Sequence, residues 1–315
     1  MKLLRLTPEN TKFGFMRFRR YSYPFSAILS ILSVLLFLKV GMNFGIDFAG
    51  GTLMELRGKS GAPDISSLRA IGDKLNLGEI EVQAFGNSND VTMRIRVQPG
   101  GAAAQQAAVK KVQESIGDGY EIRRVEVVGP RVSGELVQSG TLGVVLSIVA
   151  VLIYLWFRFE WQFAIAAVIA TMHDLLLTVG FFSITQLEFN TTSIAAILTI
   201  VGYSLNETVV VLDRIREMMR KYKRMAIAEM IDISINAVLP RTLMTATTVF
   251  LALLSLVFFG GHVIQSFSLA MMWGLFTAVY SSIFICSPIL IYLGVRTEAR
   301  ATTDEPEAAV AKAGA

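Results

Sequence analysis

The sequence has little charge and almost no cysteine. Only 17% of its 315 residues are charged and 53% are apolar, whereas soluble proteins average about 25% charged and 45–50% apolar residues. The one cysteine, Cys286, lies in an apolar run and therefore forms no intramolecular disulfide. This composition is typical of a membrane protein and argues against a soluble globular domain.

The sequence also lacks the common motifs of soluble enzymes. It contains no CxxC, HExxH, P-loop or GxSxG pattern, and no nucleophile–base or metal-ligand set is visible. We therefore predict neither an enzyme nor a cofactor or metal site. The pI near 9.2 does not point to nucleic acid, because Lys and Arg are concentrated in two short clusters beside apolar runs, as in membrane anchors.

Six stretches approach the roughly 20 mainly apolar residues that a membrane-spanning helix needs. They are about Phe25–Phe44, Leu142–Trp156, Gln162–Ile184, Thr192–Leu212, Leu243–Phe259 and Val263–Leu293. The first follows basic residues and also has the form of a secretory signal peptide. Since no A-x-A-like site follows promptly and Lys39 interrupts the region where cleavage would occur, we interpret it as an uncleaved anchor.

The distribution of Lys and Arg orients these spans. Residues 1–20 are basic, and so is the loop after the fourth span, which carries Arg214, Arg216, Arg220, Lys221, Lys223 and Arg224. The loops at 185–191 and 260–265 contain no Lys or Arg. We therefore predict that both termini are cytoplasmic and that the long segment between the first two spans is periplasmic.

That periplasmic segment, residues 45–137, has a globular composition. Strand patterns at 52–56, 79–85, 91–97 and 120–128 alternate with helical patterns at 65–75 and 102–115. Asp64 is predicted to cap the first helix, and residues 86–90 to form a turn. The order β-α-β-β-α-β predicts a ferredoxin-like α+β domain. Such a domain would bind partners through a sheet face, an edge strand or an apolar groove.

The predicted fold is thus a polytopic α-helical membrane protein with an inserted α+β domain. Its parts are a cytoplasmic segment (1–24), the first span (25–44), the periplasmic domain (45–137), five further spans (138–295) and a disordered tail (296–315). Residues 214–240 are interpreted as a cytoplasmic amphipathic linker, with a helix at 224–239. Gly50 and Gly51 allow a tight turn before the domain, for which a plain hinge is the simpler interpretation.

Ionisable residues inside spans are the candidate functional residues, because a charge at the centre of a membrane helix costs about 2.5–3.5 kcal/mol. Glu207 lies in the fourth span, more than one turn from the basic loop. It is a candidate proton carrier, and the alternative is a structural carboxyl bonded across a helix interface. Arg241 begins the fifth span at a matching depth. Two interpretations remain open for Arg241: it forms an ion pair with Glu207, or its long side chain snorkels to the membrane interface.

Two further groups of polar residues have two interpretations each. His173 and Asp174 lie midway along the third span, where they either belong to a proton relay or tie helices together. The inner end of the fourth span is predicted to form a surface charge cluster that anchors the helix and contacts a partner, through Asp213, Arg214, Arg216 and Glu217. Small polar side chains are predicted to hold neighbouring helices together: Thr199, Ser204, Asn206, Thr245 and Thr248.

Several motifs, in order along nearly the whole chain, resemble those of SecF proteins in the SecD/SecF family. They are GIDFAGGT at 45–52, VGPRV at 128–132, FRFEW at 157–161, HD at 173–174, GYSLN at 202–206, TVVV at 208–211, DRIRE at 213–217, RTL at 241–243, FSLAM at 267–271 and YSSI at 280–283. The resemblance implies one half of an RND-type transporter bundle in the bacterial inner membrane.

The resemblance also implies a function. SecF-like proteins pair with SecD beside the SecYEG channel and use the proton-motive force to promote late steps of preprotein export; YajC and YidC are further implied partners. It assigns proton passage to Glu207 and Arg241. The family's usual residue after GYSLN is Asp, so Glu207 adds one methylene and leaves open whether protons or sodium ions drive the step.

Two other functions remain open at this point. One is half of an exporter of small molecules or lipids, which drug-sensitivity profiling of a deletion strain would reveal. The other is a scaffold of a translocase that moves no protons, which predicts that Glu207 can be neutralised without consequence.

Overall fold

The computed structural model describes residues 11–59, 61–78, 80–84 and 89–295. These described residues form two compact units: one is made of residues 11–42, 146–187 and 195–295, and the other is made of the described residues between 43 and 145 together with residues 188–194. The predicted tail at 296–315 and most of the predicted turn at 86–90 lie outside the described residues.

The elements follow one another in the predicted order. The helices are α1 (Arg19–Lys39), α2 (Ile46–Ala49), α3 (Ile65–Lys74), α4 (Gly101–Ile116), α5 (Pro130–Arg158), α6 (Trp161–Thr185), α7 (Thr191–Lys221), α8 (Ile227–Phe259), α9 (His262–Ser281) and α10 (Ser287–Tyr292). A π turn at Ser282–Cys286 joins α9 to α10. The strands are β1 (Gly51–Gly58), β2 (Ile80–Ala84), β3 (Asp90–Ile95) and β4 (Tyr120–Val128).

Six helices in the described part of the chain are long and apolar enough to cross a membrane. They are α1 with its preceding 3-10 turn, α5, α6, α7, α8, and the stretch from α9 to α10. Their number agrees with the six spans predicted from hydropathy. Together with the small antiparallel sheet, they confirm the predicted fold class.

Residues 224–239 do not form a separate helix. They belong largely to the first half of α8, which begins at Ile227 and continues through Pro240. Ile231, Ile235 and Leu239 are buried in the same core as the neighbouring helices. A proline inside a helix costs about 3 kcal/mol, and burial of these apolar side chains offsets that cost. Residues from Ile227 to Leu239 are therefore helical, as predicted, but the helix continues through Pro240 into the fifth span.

Small residues let the spanning helices approach closely. A Cβ atom on Gly180 of α6 would lie 2.2 Å from Ser33 Oγ of α1, and one on Gly274 of α9 would lie 2.3 Å from a side-chain carbon of Ile200 on α7. Membrane helices pack in this way because lipid and side chains are equally apolar, so close contact is the main source of attraction.

The six spans are buried to very different extents. In the most apolar stretch of the last span 72% of residues are buried, whereas only 6% are buried in that of α5 and 11% in that of α8. The outer faces of α5 and α8 are therefore apolar and uncovered within the described residues, as expected for helices that contact lipid or another membrane protein.

The second unit contains the predicted ferredoxin-like domain. Its sheet has the order β2-β3-β1-β4, and every neighbouring pair is antiparallel. Core side chains from the strands and from α3 and α4 pack together, among them Met54, Met93, Leu68 and Val112. Asp64 Oδ1 accepts hydrogen bonds from the backbone N–H groups of Ser66 and Ser67. The predicted helix cap is thus confirmed.

Candidate functional site

Glu207 is a buried carboxylate held between two spanning helices. Its side chain on α7 is 3% exposed. Thr242 Oγ1 on α8 donates a hydrogen bond to Glu207 Oε2 at 3.0 Å, and Thr245 Oγ1 donates to Oε1 at 3.3 Å. Residues three positions apart lie on the same side of a helix, so the two threonines meet both carboxylate oxygens. Both oxygens of the buried carboxyl group therefore have a hydroxyl partner on α8, as buried polar groups usually do.

Arg241 does not pair with Glu207. Its side chain is exposed, and the ion pairs among the described residues include none between the two. Successive residues of a helix point about 100° apart, and it is Thr242, not Arg241, that faces α7. The ion pair considered from the sequence is therefore absent from this structure.

Asp174 ties three helices together. It lies on α6 and is 1% exposed. Its Oδ2 accepts hydrogen bonds from Ser204 Oγ on α7 at 2.6 Å and from Ser281 Oγ on α9 at 2.7 Å. This geometry supports the interpretation of Asp174 as a tie between helices. The two serine hydroxyls can also donate and accept hydrogen bonds, which is what a proton relay requires.

His173 extends the polar cluster toward α1. Its Nδ1 lies 3.3 Å from Asp174 Oδ1, whereas its Nε2 is buried without a hydrogen-bond partner in the part of the chain that is described. The imidazole ring lies 6.1 Å from the ring of Tyr280, and Tyr280 Oη is 2.8 Å from Ser26 Oγ on α1. Polar side chains of α1, α6, α7 and α9 thus meet inside the helical unit.

The two buried carboxylates are linked through α7. Ser204, which binds Asp174, and Glu207 are three residues apart, so they lie one turn from each other on one side of this helix, with Cβ atoms about 5–6 Å apart. Asn206 lies between them in sequence and is exposed. The structure thus brings Asp174, His173 and Glu207 into one region and leaves Asn206 and Arg241 outside it.

Gly50 and Gly51 belong to the other unit and have conformations that favour glycine. Gly51 has φ +112°, and a Cβ atom there would lie 2.4 Å from the carbonyl oxygen of Ile95 on β3. Gly50 has φ +71° and would place a Cβ atom 2.7 Å from a methyl group of Val97. The pair allows the chain to leave α2 and enter β1 beside β3, so it shapes the fold of this unit.

Asp47 caps the start of α7. Its Oδ2 accepts hydrogen bonds from the backbone N–H of Thr191 at 2.9 Å and from Thr191 Oγ1 at 2.7 Å. Arg94 on β3 supports the same region by pairing with Glu188 at 3.0 Å. The GIDFAGGT segment is therefore bonded to the first residue of the helix that carries Glu207 further along.

Comparison with known proteins identifies the family. Residues 108–296 match the family model "Protein export membrane protein SecD/SecF, C-terminal", and residues 35–62 match the SecD/SecF GG motif. The chain belongs to the SecD/SecF family. It is similar to the "Protein translocase subunit SecF" of Rickettsia bellii, with 44% identity over 91% of this chain and 95% of the relative, and to that of Rickettsia conorii, with 43% identity over 91% and 94%.

Solved SecDF structures share its fold. The crystal structure of SecDF, a translocon-associated membrane protein from Thermus thermophilus, matches with a TM-score of 0.82 and 31% identity over 92% of this chain. A second SecDF structure, in a super-membrane-facing form, matches with a TM-score of 0.68 and 30% identity over 95%. This chain spans 40% of each SecDF chain. It is thus a multi-pass membrane protein of the SecF type.

The charged residues that follow Glu207 in this SecF-type chain form a surface cluster. Arg158 at the end of α5 pairs with Asp213 on α7 at 2.5 Å, and Arg216 lies 3.9 Å from Asp213 and from Glu160. Arg214 pairs with Glu217 at 2.6 Å. The cluster therefore joins the end of α7 to the turn between α5 and α6.

Several residues of the site were not singled out from the sequence. Ser281 and Tyr280 appeared there only as part of the YSSI motif, and Asp47 only as part of the GIDFAGGT segment. The signal that finds them is their place inside a family motif, because a serine or tyrosine in an apolar span is otherwise unremarkable. Within the described ranges, no group of three or more His, Cys, Asp or Glu residues could hold a metal ion.

Proposed function

We propose that this chain is a SecF subunit of a preprotein translocase, which works with a SecD partner and uses the proton-motive force to promote late steps of export across the bacterial inner membrane. The observation that carries this proposal is the buried Glu207, whose two oxygens accept hydrogen bonds from hydroxyl groups of a neighbouring span. Relatives that align with most of the chain are named as translocase subunits, which supports a role for this carboxylate in protein export.

The proposed partner covers the apolar faces of α5 and α8. The solved SecDF chains are longer, and this chain matches 40% of each; the proposed SecD partner corresponds to the part of those chains that this chain does not match. Arg241 on α8 is exposed and lacks an ion pair in the described structure. We infer that it meets a carboxylate of that partner. SecYEG is the proposed channel beside the pair, and the Lys and Arg bias supports a cytoplasmic position for both termini.

Protonation of Glu207 is the proposed trigger. Hydrogen bonds to an ionised carboxylate are roughly twice as strong as hydrogen bonds between neutral groups. Protonation of Glu207 would therefore weaken its hydrogen bonds to Thr242 and Thr245. The packing of α7 against α8 then changes. A charge that crosses the membrane field releases roughly 2.3 kcal/mol per 100 mV, which is enough to bias two arrangements of packed helices.

The movement is proposed to reach the α+β unit along α7. Asp47 holds Thr191, the first residue of α7, and Glu207 lies 16 residues further along the same helix, or about 24 Å at 1.5 Å per residue. A shift of this rigid element would therefore act directly on the GIDFAGGT segment. The periplasmic domain would hold an emerging preprotein segment and prevent it from slipping back.

Export in inverted membrane vesicles that contain this chain, SecD and SecYEG tests the proposal. The gradient-dependent step of preprotein export should be lost with Glu207→Gln and retained with Glu207→Asp. Glu229→Gln is the matched control, because Glu229 is an exposed carboxylate in the first turn of α8. Unchanged export by an assembled Glu207→Gln complex would favour a scaffold role instead.

A further inference from the structure

A basic cleft opens where α5 ends beside the last turns of α7. It has a volume of about 440 Å³ and is lined by Arg158, Asp213, Arg216, Glu217, Arg220 and Lys221. This volume lies within the ~300–1,000 Å³ of typical ligand pockets. Four cations face two carboxylates, so the lining has a net charge of +2.

The charges inside this basic cleft are only partly paired. Arg158 and Arg216 both pair with Asp213, at 2.5 Å and 3.9 Å. Glu217 pairs with Arg214, which does not line the cleft. Arg220 and Lys221 form no ion pair with any described residue, and both are exposed. Four cations that converge on one cleft repel one another, and an anion that enters it would relieve that repulsion.

The turn between α5 and α6 places the cleft at the membrane surface. Both helices are long enough to cross the bilayer, and only Phe159 and Glu160 separate them. Such a short turn must lie at a membrane–water interface. Trp156, Phe157 and Trp161 around this turn are 72%, 85% and 54% exposed, as expected for aromatic side chains at the level of lipid headgroups.

Two arginines of the cleft pack against one buried aromatic ring. The guanidinium carbons of Arg158 and Arg216 lie 4.9 Å and 5.4 Å from the centre of the Phe159 ring. Phe159 is itself buried, with 6% exposure, so both guanidinium groups lie against a side chain that is held by the core. Guanidinium groups bind phosphate oxygens in a bidentate geometry, and basic pockets between membrane helices bind lipid phosphates.

From these observations we infer that the cleft between the ends of α5 and α7 binds the phosphate group of an anionic membrane lipid. The ligand class is a phosphodiester headgroup without a compensating positive charge, such as phosphatidylglycerol or cardiolipin. A zwitterionic headgroup would bring its ammonium group into a cleft that is already cationic. This inference does not depend on proton coupling or on a SecD partner.

Tryptophan quenching by brominated lipids tests this inference on the full chain. Two of the three tryptophans, Trp156 and Trp161, lie at the turn beside the cleft. The chain is reconstituted in phosphatidylcholine vesicles that contain a small fraction of either brominated phosphatidylglycerol or brominated phosphatidylcholine. We expect clearly stronger quenching by the anionic lipid at equal mole fraction.

Two double variants make the test specific to the cleft. Arg220→Gln with Lys221→Gln should lower the relative affinity for the anionic lipid on the order of thirtyfold, since each of the two cations contributes about 1 kcal/mol near an anionic surface and about 1.4 kcal/mol is a factor of ten. Arg20→Gln with Arg224→Gln removes the same charge from exposed positions outside the cleft and should leave the preference largely intact. Equal loss in both variants, or no preference in the unaltered chain, would overturn the inference.

A soluble phosphate is the other source of the same chemistry. Inorganic phosphate is added to the vesicles at millimolar concentration and compared with sodium chloride at the same ionic strength. We expect both salts to weaken the lipid preference equally, through screening alone. If phosphate removes the preference and chloride does not, the cleft takes a soluble phosphate ligand, and the assignment to a lipid is wrong.

Discussion

Thr242 Oγ1 on α8 donates a hydrogen bond to Glu207 Oε2 on α7 across 3.0 Å. Arg241, one residue earlier, points elsewhere and is exposed. The carboxylate on which the proposed function depends is thus held by neutral hydroxyl groups within this chain. Its surroundings can therefore be changed without altering the charge of the protein.

Removal of the hydroxyl donors should weaken proton coupling. The double variant Thr242→Val with Thr245→Val keeps the shape of both side chains but leaves the carboxylate without its two donors. Hydrogen bonds to a charged group contribute about 1.5–3 kcal/mol each, so we expect gradient-dependent export to slow about tenfold or more. Thr242→Ser with Thr245→Ser retains the hydroxyls and should export normally. Normal export by the valine variant would show that these bonds have no part in the mechanism.

Asp174 should matter for stability more than an exposed carboxylate does. Asp174→Ala removes the acceptor of the buried Ser204 hydroxyl and leaves Ser281 only the longer bond to the Ala278 carbonyl oxygen at 3.2 Å, at a cost of about 1–3 kcal/mol. The thermal unfolding midpoint in detergent should fall. Asp213→Asn removes a half-exposed ion pair with Arg158 and should cost about 1 kcal/mol or less. Equal midpoints for the two variants would argue against the tie.

The variant Asp174→Asn distinguishes a packing role of Asp174 from a role in proton transfer. The amide keeps an oxygen acceptor for one of the two serines but carries no exchangeable charge. A variant that is nearly as stable as the unaltered chain and lacks gradient-dependent export would place Asp174 on the proton path. Retained export would limit its role to packing.

Gly51→Ala should disrupt the entry to β1. The added Cβ atom meets the Ile95 carbonyl oxygen at 2.4 Å, at a residue with φ +112°, and strained backbone alone costs about 1–3 kcal/mol. Gly101→Ala is the control, because Gly101 has φ +76° with no atom within 4 Å of an added Cβ. Hydrogen exchange of β1 and β3 in the full chain should be faster in Gly51→Ala than in the control. Equal exchange would show that the close approach is not required.

The α+β unit should lose local stability in acid through Asp90. The Arg57 guanidinium, bonded to Asp90 at 2.6 Å, holds the pKa of that carboxyl below its ordinary value. The ion pair therefore stabilises the fold above about pH 4, the pKa of an unfolded Asp, and this contribution is lost as the pH falls through the lowered pKa. Burial raises the pKa of the nearby Glu55, which has the opposite effect on stability.

Hydrogen exchange at the β1–β3 pair between pH 3 and pH 6 measures this dependence. After correction for intrinsic exchange rates, protection should decline in acid, and Asp90→Asn should remove part of that decline. Asp118→Asn, at an exposed position after α4, should leave the decline unchanged. An identical pH dependence in Asp90→Asn and the unaltered chain would contradict the assignment.

Much of the fold could be predicted from the sequence because its signals are local. The apolar runs predicted six spans, and period-two and helical patterns predicted the order of the α+β unit, including Asp64 as a cap. The main difference was the separate helix predicted at 224–239, because α8 begins at Ile227 and continues through Pro240. The burial of Ile231, Ile235 and Leu239, which carries the helix through this residue, is a tertiary effect.

The candidate site was predictable only in part. Glu207, Asp174 and His173 stand out in the sequence as ionisable groups inside spans. Their partners do not, because Ser204, Thr242 and Ser281 are ordinary residues for a membrane helix and depend on helix rotation to face a carboxylate. The positions of Glu207 and Arg241 in the sequence predicted that both residues lie at the same depth in the membrane. They could not predict that the two side chains point in different directions.

Proton flux is the most direct test of the central claim, that protons pass through Glu207. The chain is reconstituted with SecD in vesicles that contain a pH-sensitive dye, and a potential is imposed across the membrane. We predict potential-driven proton entry that is lost with Glu207→Gln, retained with Glu207→Asp and unchanged with Glu229→Gln. Equal proton entry in Glu207→Gln and the unaltered chain, with both complexes assembled, would contradict the account.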